Sequence, residues 1–202
     1  MMKTWYAGIA VASLAAAFAG TARLRAQTPA RLTVTSPAFK EGDSIPKDYT
    51  GDTGARNVSP PLAWSGAPAT TKEFAVILDD PDAAQFNNGQ PYVHWIVYKI
   101  PGTATGLPEA LPAGVITTGP LTGTIQGMSN MVGRGRAGAP PPVPVFRGPA
   151  PPAGSGPHHY TFTVYALGAG LDLKEGLNKP QLLDAIAGHV VAEGKLMGLY
   201  QR

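Results

Sequence analysis

The chain of 202 residues contains no cysteine. This absence excludes disulfide bonds, a thiolate nucleophile, an iron–sulfur cluster and a zinc site built from cysteine. Charged residues are also few, at 14%, whereas hydrophobic residues make up 44%, so a disordered chain and a coiled coil are excluded as well. A chain of this length can bury the core of one domain.

Long apolar runs are scarce, and the run at residues 9–18 (IAVASLAAAF) has ten residues, too few to cross a bilayer. Lys3 precedes this run and small residues follow it, a pattern that predicts a signal peptide over residues 1–26, cleaved after Ala22 or Ala26. Cleavage after Ala26 removes three basic residues and leaves 13 of each sign. We therefore expect a periplasmic or secreted protein that binds no nucleic acid and has no stable membrane anchor after cleavage.

Glycine and proline are abundant, at 25 and 21 residues, and predict many turns. Strands are predicted at residues 73–80, 93–100 and 160–167, with shorter ones at 32–35, 61–65 and 196–201. One helix is predicted over residues 179–193, ending before Gly194, from an apolar stripe that includes Ile186, Val190 and Val191. This pattern predicts a mainly β protein, an antiparallel β-sandwich with a C-terminal α-helix and few short helices.

One segment differs in composition from the rest of the chain. Between residues 127 and 157, 15 of 31 residues are glycine or proline, and all three charges are arginines. Such a stretch resists regular helix and central strand. We predict a single domain over residues 27–202, with a Pro/Gly/Arg-rich loop insertion at residues 132–145.

Strand alternation selects four polar residues on apolar faces: Asp80, His94, His158 and Tyr160. Under this rule His94 shares a face with Ile96 and Tyr98, and His159 points to solvent on the opposite face from His158. A polar group on an apolar face must find a partner or mark a site. The four residues are therefore predicted to form one site.

Three chemistries can use this set. The imidazoles and the tyrosine hydroxyl can donate to an anion such as phosphate, with Asp80 holding His94 in one tautomer. Two histidines and a carboxylate can instead ligate a divalent metal, although a compact motif such as H-x-x-E-H is absent. A His–Asp pair can also activate water or a serine, but G-x-S-x-G is absent, and Ser59 and Ser155 stand in turn sequences. We expect anion binding, with no metal, no cofactor and no catalytic residue.

Six short motifs carry a family resemblance, in the order residues 57–62 (NVSPPL), 79–83 (DDPDA), 93–95 (VHW), 148–152 (GPAPP), 158–160 (HHY) and 188–200 (GH…GLY). With these motifs the chain resembles the phosphatidylethanolamine-binding protein (PEBP) family, and within it the bacterial Raf-kinase-inhibitor-like branch (YbhB/YbcL type). The resemblance implies a β-sandwich with a pocket for phosphate-like anions and phospholipid headgroups.

By residue-wise match, the resemblance implies a pocket lined by Asp80, Asp82, His94, Pro151, His158 and Tyr160. Two features depart from the family pattern: the insertion at residues 132–145 beside the pocket, and Ala150, where some members carry glycine. Asp82 also suits a Pro-Asp turn, in which its side chain bonds the local backbone.

These observations predict an exported, non-enzymatic protein that binds a small anionic or phosphorylated ligand, with a regulatory role as one form of that function. The family also suggests an inhibitor of a protease or kinase, which implies a protein target. A low-activity hydrolase using His94 and Asp80 is the remaining alternative. The sequence leaves the oligomeric state open, a homodimer included.

Overall fold

The computed structural model describes residues 29–130 and 144–202, together with Met1. The predicted signal peptide (residues 1–26) and most of the predicted insertion (residues 132–145) lie outside these described residues.

Nine strands, one α-helix and two short 3-10 helices are found in the described part of the chain. The strands are β1 (Ala30–Arg31), β2 (Thr33–Thr35), β3 (Leu62–Ser65), β4 (Glu73–Asp80), β5 (Tyr92–Pro101), β6 (Gly106–Leu107), β7 (Ile125–Gln126), β8 (His158–Leu167) and β9 (Val190–Tyr200). The helix α1 spans Lys179–Ile186, and the 3-10 helices span Lys47–Tyr49 and Asp82–Phe86.

The strands form two sheets. The larger has the order β1-β9-β8-β4-β5-β7 and the smaller the order β2-β3-β6. Every pairing is antiparallel except that of β1 with β9. β4 therefore runs between β5 and β8 at the centre of the larger sheet, and its last residues meet the first residues of both neighbours.

Both faces of the larger sheet are buried. One face packs against the smaller sheet, and this core includes Phe74, Val76, Trp95 and Phe162 together with Trp64 from β3. The opposite face packs under α1 and its loops. This two-sheet arrangement with one helix confirms the predicted β-sandwich.

The predicted helix is wrong at its C-terminal end, because α1 stops at Ile186 and β9 begins at Val190. Gly188 adopts φ +78°, a left-handed conformation that ends a helix and suits glycine. The β-branched Val190 then pairs with Leu167 in the sheet. The start of the helix agrees with prediction, since Asn178 forms a capping box with Gln181.

A β-bulge at His94 makes part of the predicted alternation wrong. Leu78 pairs with Trp95 and Asp79 with Val93, so His94 has no partner in the register. Ile96 and Tyr98 lie on the face beneath α1. His94 instead packs against Tyr160, on the face toward the smaller sheet. The bulge therefore moves His94 onto the side that carries the other predicted site residues.

Candidate functional site

A cavity of about 240 Å³ lies where the end of β4 meets the starts of β5 and β8. Its lining residues are Asp80, Ala83, Phe86, Tyr92, His94, Ala150, Pro151, Pro152, His158 and Tyr160. The antiparallel pairing explains this convergence, because the C-terminal end of a strand lies beside the N-terminal ends of its antiparallel neighbours.

Five of the six predicted pocket residues line this cavity, and Asp82 does not. The prediction missed Phe86 and Tyr92, which bring aromatic surface to the cavity. Tyr92 has the strand parity of His94, so extending the alternation by two residues finds it. Phe86 ends a 3-10 helix and carries no periodic signal.

Asp80 is buried and accepts two hydrogen bonds. Its Oδ1 accepts from the Ala83 N–H at 3.1 Å, and its Oδ2 lies 2.8 Å from His158 Nδ1. The expectation that Asp80 holds His94 is therefore wrong, because its imidazole partner is His158. The carboxylate fixes the His158 ring and the first turn of the 3-10 helix at the same time.

The second ring nitrogen of His158 is also engaged. Its Nε2 lies 3.1 Å from Ser155 Oγ, and that hydroxyl donates to the Pro152 carbonyl oxygen at 2.8 Å. Ser155 thus contacts the site, although its sequence environment predicts only a turn. The signal for this contact is its spacing, since a tight turn over three residues brings Ser155 back to the ring of His158.

His94 is held by two hydrogen bonds with the backbone of Arg147. Its Nδ1 lies 2.8 Å from the Arg147 carbonyl oxygen, and the Arg147 N–H donates to the His94 carbonyl at 3.1 Å. A carbonyl oxygen only accepts, so Nδ1 carries the proton. Burial lowers the pKa of His94, an effect that the Arg147 carbonyl and the charge of Asp80 offset only in part. Neutral His94 therefore presents an unprotonated Nε2.

Two buried polar atoms of the cavity have no hydrogen-bond partner among the described residues: His94 Nε2 and the Tyr160 hydroxyl. The two rings meet edge to face with their centroids 5.2 Å apart. Burial raises the pKa of Tyr160, and the nearby charge of Asp80 raises it further, so the hydroxyl keeps its proton. Unpartnered buried polar atoms are rare in folded proteins, and a bound water, an ion or a functional role commonly accounts for them.

A proline-rich segment, residues 148–152, forms one wall of the cavity and is held by hydrogen bonds. The Gly148 N–H donates to Asn57 Oδ1 at 2.8 Å, and the Gly51 N–H donates to the Pro149 carbonyl at 2.8 Å. A Cβ at Gly148 would lie 2.5 Å from the Thr50 carbonyl carbon, so the approach requires glycine. Pro-fixed torsions and these bonds make the wall rigid.

Arg202 braces the same wall. Its Nε donates to the Pro151 carbonyl at 2.6 Å, and a terminal guanidinium nitrogen donates to the Ala150 carbonyl at 2.7 Å. Asp52 lies 3.3 Å from the guanidinium Nε and accepts from the Tyr200 hydroxyl at 2.5 Å. The wall is thereby tied to the end of β9.

Asp82 forms a separate pair with His159 outside the cavity. Its Oδ2 accepts from the His159 N–H at 2.6 Å and lies 2.9 Å from the ring Nδ1. The two side chains are 39% and 50% exposed. His159 therefore faces solvent as predicted, and contact with it lowers the pKa of Asp82, although partial burial opposes that shift.

The described residues hold no group of three His, Cys, Asp or Glu side chains arranged for a metal ion. Asp80 and His158 are hydrogen-bonded to each other, so the oxygen and nitrogen atoms that could ligate a shared cation are already engaged. Nor does any helix in residues 29–130 or 144–202 have the length and apolarity to cross a membrane.

Fold and cavity together define a β-sandwich with a small cavity at the ends of the central strands of its larger sheet. The family model described as phosphatidylethanolamine-binding protein matches residues 35–201. The chain therefore belongs to the phosphatidylethanolamine-binding protein family, which confirms the resemblance of the motifs.

Relatives and solved structures agree with this assignment. A protein of Methanothermobacter thermautotrophicus named UPF0098 protein is 42% identical over 166 residues, covering 82% of this chain and 95% of the relative. LppC, described as a candidate lipoprotein of Mycobacterium tuberculosis, is 39% identical over 171 residues, covering 84% of this chain and 72% of the relative. The crystal structure of E. coli YbcL superposes with a TM-score of 0.70 at 30% identity, covering 86% and 99% of the two chains.

Proposed function

We propose that the protein binds a phosphate-type anion in the cavity without changing it chemically, either as a phosphorylated small molecule or as a phospholipid headgroup. The observation that carries the proposal is the pair of buried, unpartnered atoms in the cavity, His94 Nε2 and the Tyr160 hydroxyl. A phosphate oxygen between them gives each atom a partner. The names of the family and of its members agree with this ligand class.

The tautomer of His94 makes anion binding depend on a proton. Because Nδ1–H donates to the Arg147 carbonyl, neutral His94 offers a lone pair at Nε2, which repels a phosphate dianion. Binding therefore takes up one proton, placed either on Nε2 or on the phosphate. Tyr160 donates without such a change, since its raised pKa keeps it protonated.

His158 and Asp80 have an indirect role in this proposal. Both ring nitrogens of His158 already have partners, so His158 does not contact the anion. In this proposal the pair instead holds the His158 ring stacked against Tyr160. The cavity volume of about 240 Å³ lies below the range of about 300–1,000 Å³ that drug-sized ligands occupy. The ligand is thus a headgroup or a small phosphorylated compound, with any acyl chain outside.

The location that fits this function is the periplasm or the exterior. The ten-residue apolar run followed by small residues supports export, and the relative LppC bears the description of a lipoprotein. N-terminal sequencing of the protein from its native cell should begin at Arg23 or Gln27. Recovery of intact Met1 from the cytosol would contradict export.

Isothermal titration with inorganic phosphate and with O-phosphoethanolamine tests the cavity. O-phosphoethanolamine is a phosphate monoester with a second pKa of about 6, so it is mostly dianionic between about pH 7 and 8, and its affinity should fall about tenfold per pH unit, the linkage of one proton. Tyr160→Phe should weaken binding roughly 10- to 150-fold, which corresponds to 1.5–3 kcal/mol for a hydrogen bond to a charged group. Tighter binding of phosphoethanolamine than of phosphate would identify the headgroup as the better ligand.

His94→Gln should remove the pH dependence, because a glutamine amide can donate to the anion without taking up a proton. The exposed His159→Gln is the matched control and should leave both affinity and its pH dependence unchanged. Equal losses in the two variants, or an affinity independent of pH, would contradict the proposal. Binding that requires an added divalent metal would assign the cavity to metal chemistry instead.

A further inference from the structure

Ser155, His158 and Asp80 form a continuous hydrogen-bonded chain, and its last two members line the cavity. Ser155 Oγ lies 3.1 Å from His158 Nε2, and His158 Nδ1 lies 2.8 Å from Asp80 Oδ2. Ser155 is exposed, whereas the other two side chains are each 3% exposed. A nucleophile within reach of a base, with the base oriented by a buried carboxylate, is the arrangement that activates serine hydroxyls.

The backbone around Ser155 suits a nucleophile. Gly154 and Gly156 flank the serine with φ values of +77° and +82°, so the hydroxyl stands at the tip of a sharp turn. The Gly156 N–H has no acceptor among the described residues. In α/β-hydrolases the N–H of the residue after the nucleophile helps to stabilise the oxyanion, and Gly156 occupies that position here.

A comparison with Thr122 separates this arrangement from an ordinary turn. Thr122 Oγ1 donates to the Gly119 carbonyl three residues earlier at 2.7 Å, as Ser155 Oγ donates to the Pro152 carbonyl at 2.8 Å. Thr122 has no imidazole beside it among the described residues. The turn bond therefore does not require a histidine, and the contact of Ser155 with His158 is additional.

We propose that Ser155, His158 and Asp80 act together as a nucleophilic triad that hydrolyses small carboxylic esters. This activity goes beyond anion binding and does not depend on it. The carboxylate of Asp80 keeps the proton of His158 on Nδ1, which leaves Nε2 as the base. Rotation of the Ser155 hydroxyl from the Pro152 carbonyl toward Nε2 then aligns its proton for transfer.

The reaction has two balanced steps. Ser155 Oγ attacks the ester carbonyl carbon while its proton passes to His158 Nε2, and the bond to the leaving alcohol breaks as that oxygen takes the same proton. An acyl ester of Ser155 results. Water then attacks the acyl carbon, gives one proton to Nε2, and the acid leaves as this proton returns to Ser155 Oγ. Ester and water become acid and alcohol with no other reactant.

The cavity limits the substrate to short acyl groups. Phe86, Tyr92 and Pro152 line the same cavity as His158 and give it apolar and aromatic surface, and the whole cavity holds about 240 Å³. Acetyl- and propionyl-sized groups fit such a space, whereas a long acyl chain does not.

The test treats the full chain with a fluorophosphonate and maps the adduct by peptide mass spectrometry, alongside p-nitrophenyl acetate turnover. We expect an adduct on Ser155 that Ser155→Ala abolishes, with turnover at least tenfold above that variant. Asp80→Asn should slow labelling at least tenfold, since positioned general bases contribute about 10²–10⁴-fold. The exposed Asp82→Asn should change it less than twofold.

Thr122→Ser is the matched control, because it supplies a second exposed turn serine without an imidazole. Labelling at Ser155 and not at position 122 supports the triad. Absence of an adduct on Ser155, or equal labelling of both positions, would overturn it, and this comparison stands even if Asp80→Asn fails to fold. Failure of phosphate binding in the wild-type titration would contradict the anion site alone, because Ser155 labelling does not need bound phosphate.

Discussion

Two neighbouring histidines form the same pair with an aspartate in opposite surroundings. The His158–Asp80 pair has a nitrogen–oxygen distance of 2.8 Å with both side chains 3% exposed, and the His159–Asp82 pair has 2.9 Å with 50% and 39% exposed. Asp80 ends β4, whereas Asp82 begins the 3-10 helix that follows it. Burial rather than contact geometry therefore decides how much such a pair stabilises the protein.

Removing the two carboxylates one at a time should change the unfolding free energy by very different amounts. Asp80→Ala leaves the buried His158 Nδ1 and the Ala83 N–H without an acceptor, so it should cost about 3–5 kcal/mol of unfolding free energy. Asp82→Ala should cost less than about 1 kcal/mol, because water replaces the exposed pair. Urea unfolding at pH 7 measures both, and similar losses in the two variants would contradict the role assigned to burial.

The regular strands β4 and β8 show how much of the fold and of the site could be predicted from the sequence. Strand β4 agrees with its predicted bounds, because Glu73–Asp80 is an unbroken run of β-forming residues between turns. Alternation also assigns His158 and His159 to opposite faces, since β8 pairs with β4 without a register shift. The local sequence pattern is therefore sufficient to predict the bounds of a regular strand and the face on which each of its side chains lies.

The errors arise where long-range contacts override the local pattern. His94 reaches the cavity through a bulge, and both faces of β5 are buried, so alternation in sequence could not identify its side. Asp80 pairs with His158 rather than with His94, because the carbonyl of Arg147, 53 residues from His94, accepts the hydrogen bond of the His94 ring. Ser155 was missed for a different reason, since its contact is only three residues away in sequence but depends on the His158 ring being held by Asp80.

The next expected effect is a pH dependence of stability that comes from the buried, neutral His94. Burial lowers the pKa of His94 below that of the unfolded chain, about 6.5, so the unfolded state binds more protons in acid. Stability of the wild type should therefore fall as the pH drops below about 6.5, by up to about 1.4 kcal/mol per pH unit from this residue. His94→Gln should show a shallower decline, measured by urea unfolding between pH 5 and 7.5. Parallel declines in both proteins would contradict a neutral, buried His94.

The smallest effect is the response of each pair to salt. The screening length is about 8 Å at 0.15 M ionic strength and about 3 Å at 1 M, so added NaCl weakens charges that water surrounds. The loss caused by Asp82→Ala should therefore shrink by a few tenths of a kcal/mol between these salt concentrations. The loss caused by Asp80→Ala should stay constant, because ions cannot enter between side chains that are 3% exposed. Urea is the suitable denaturant, since it adds no ions, and Asp82→Asn tests whether charge rather than hydrogen bonding carries the small response. A salt-dependent loss at Asp80 would show that water reaches the His158 pair, and the cavity would then be more open than its lining implies.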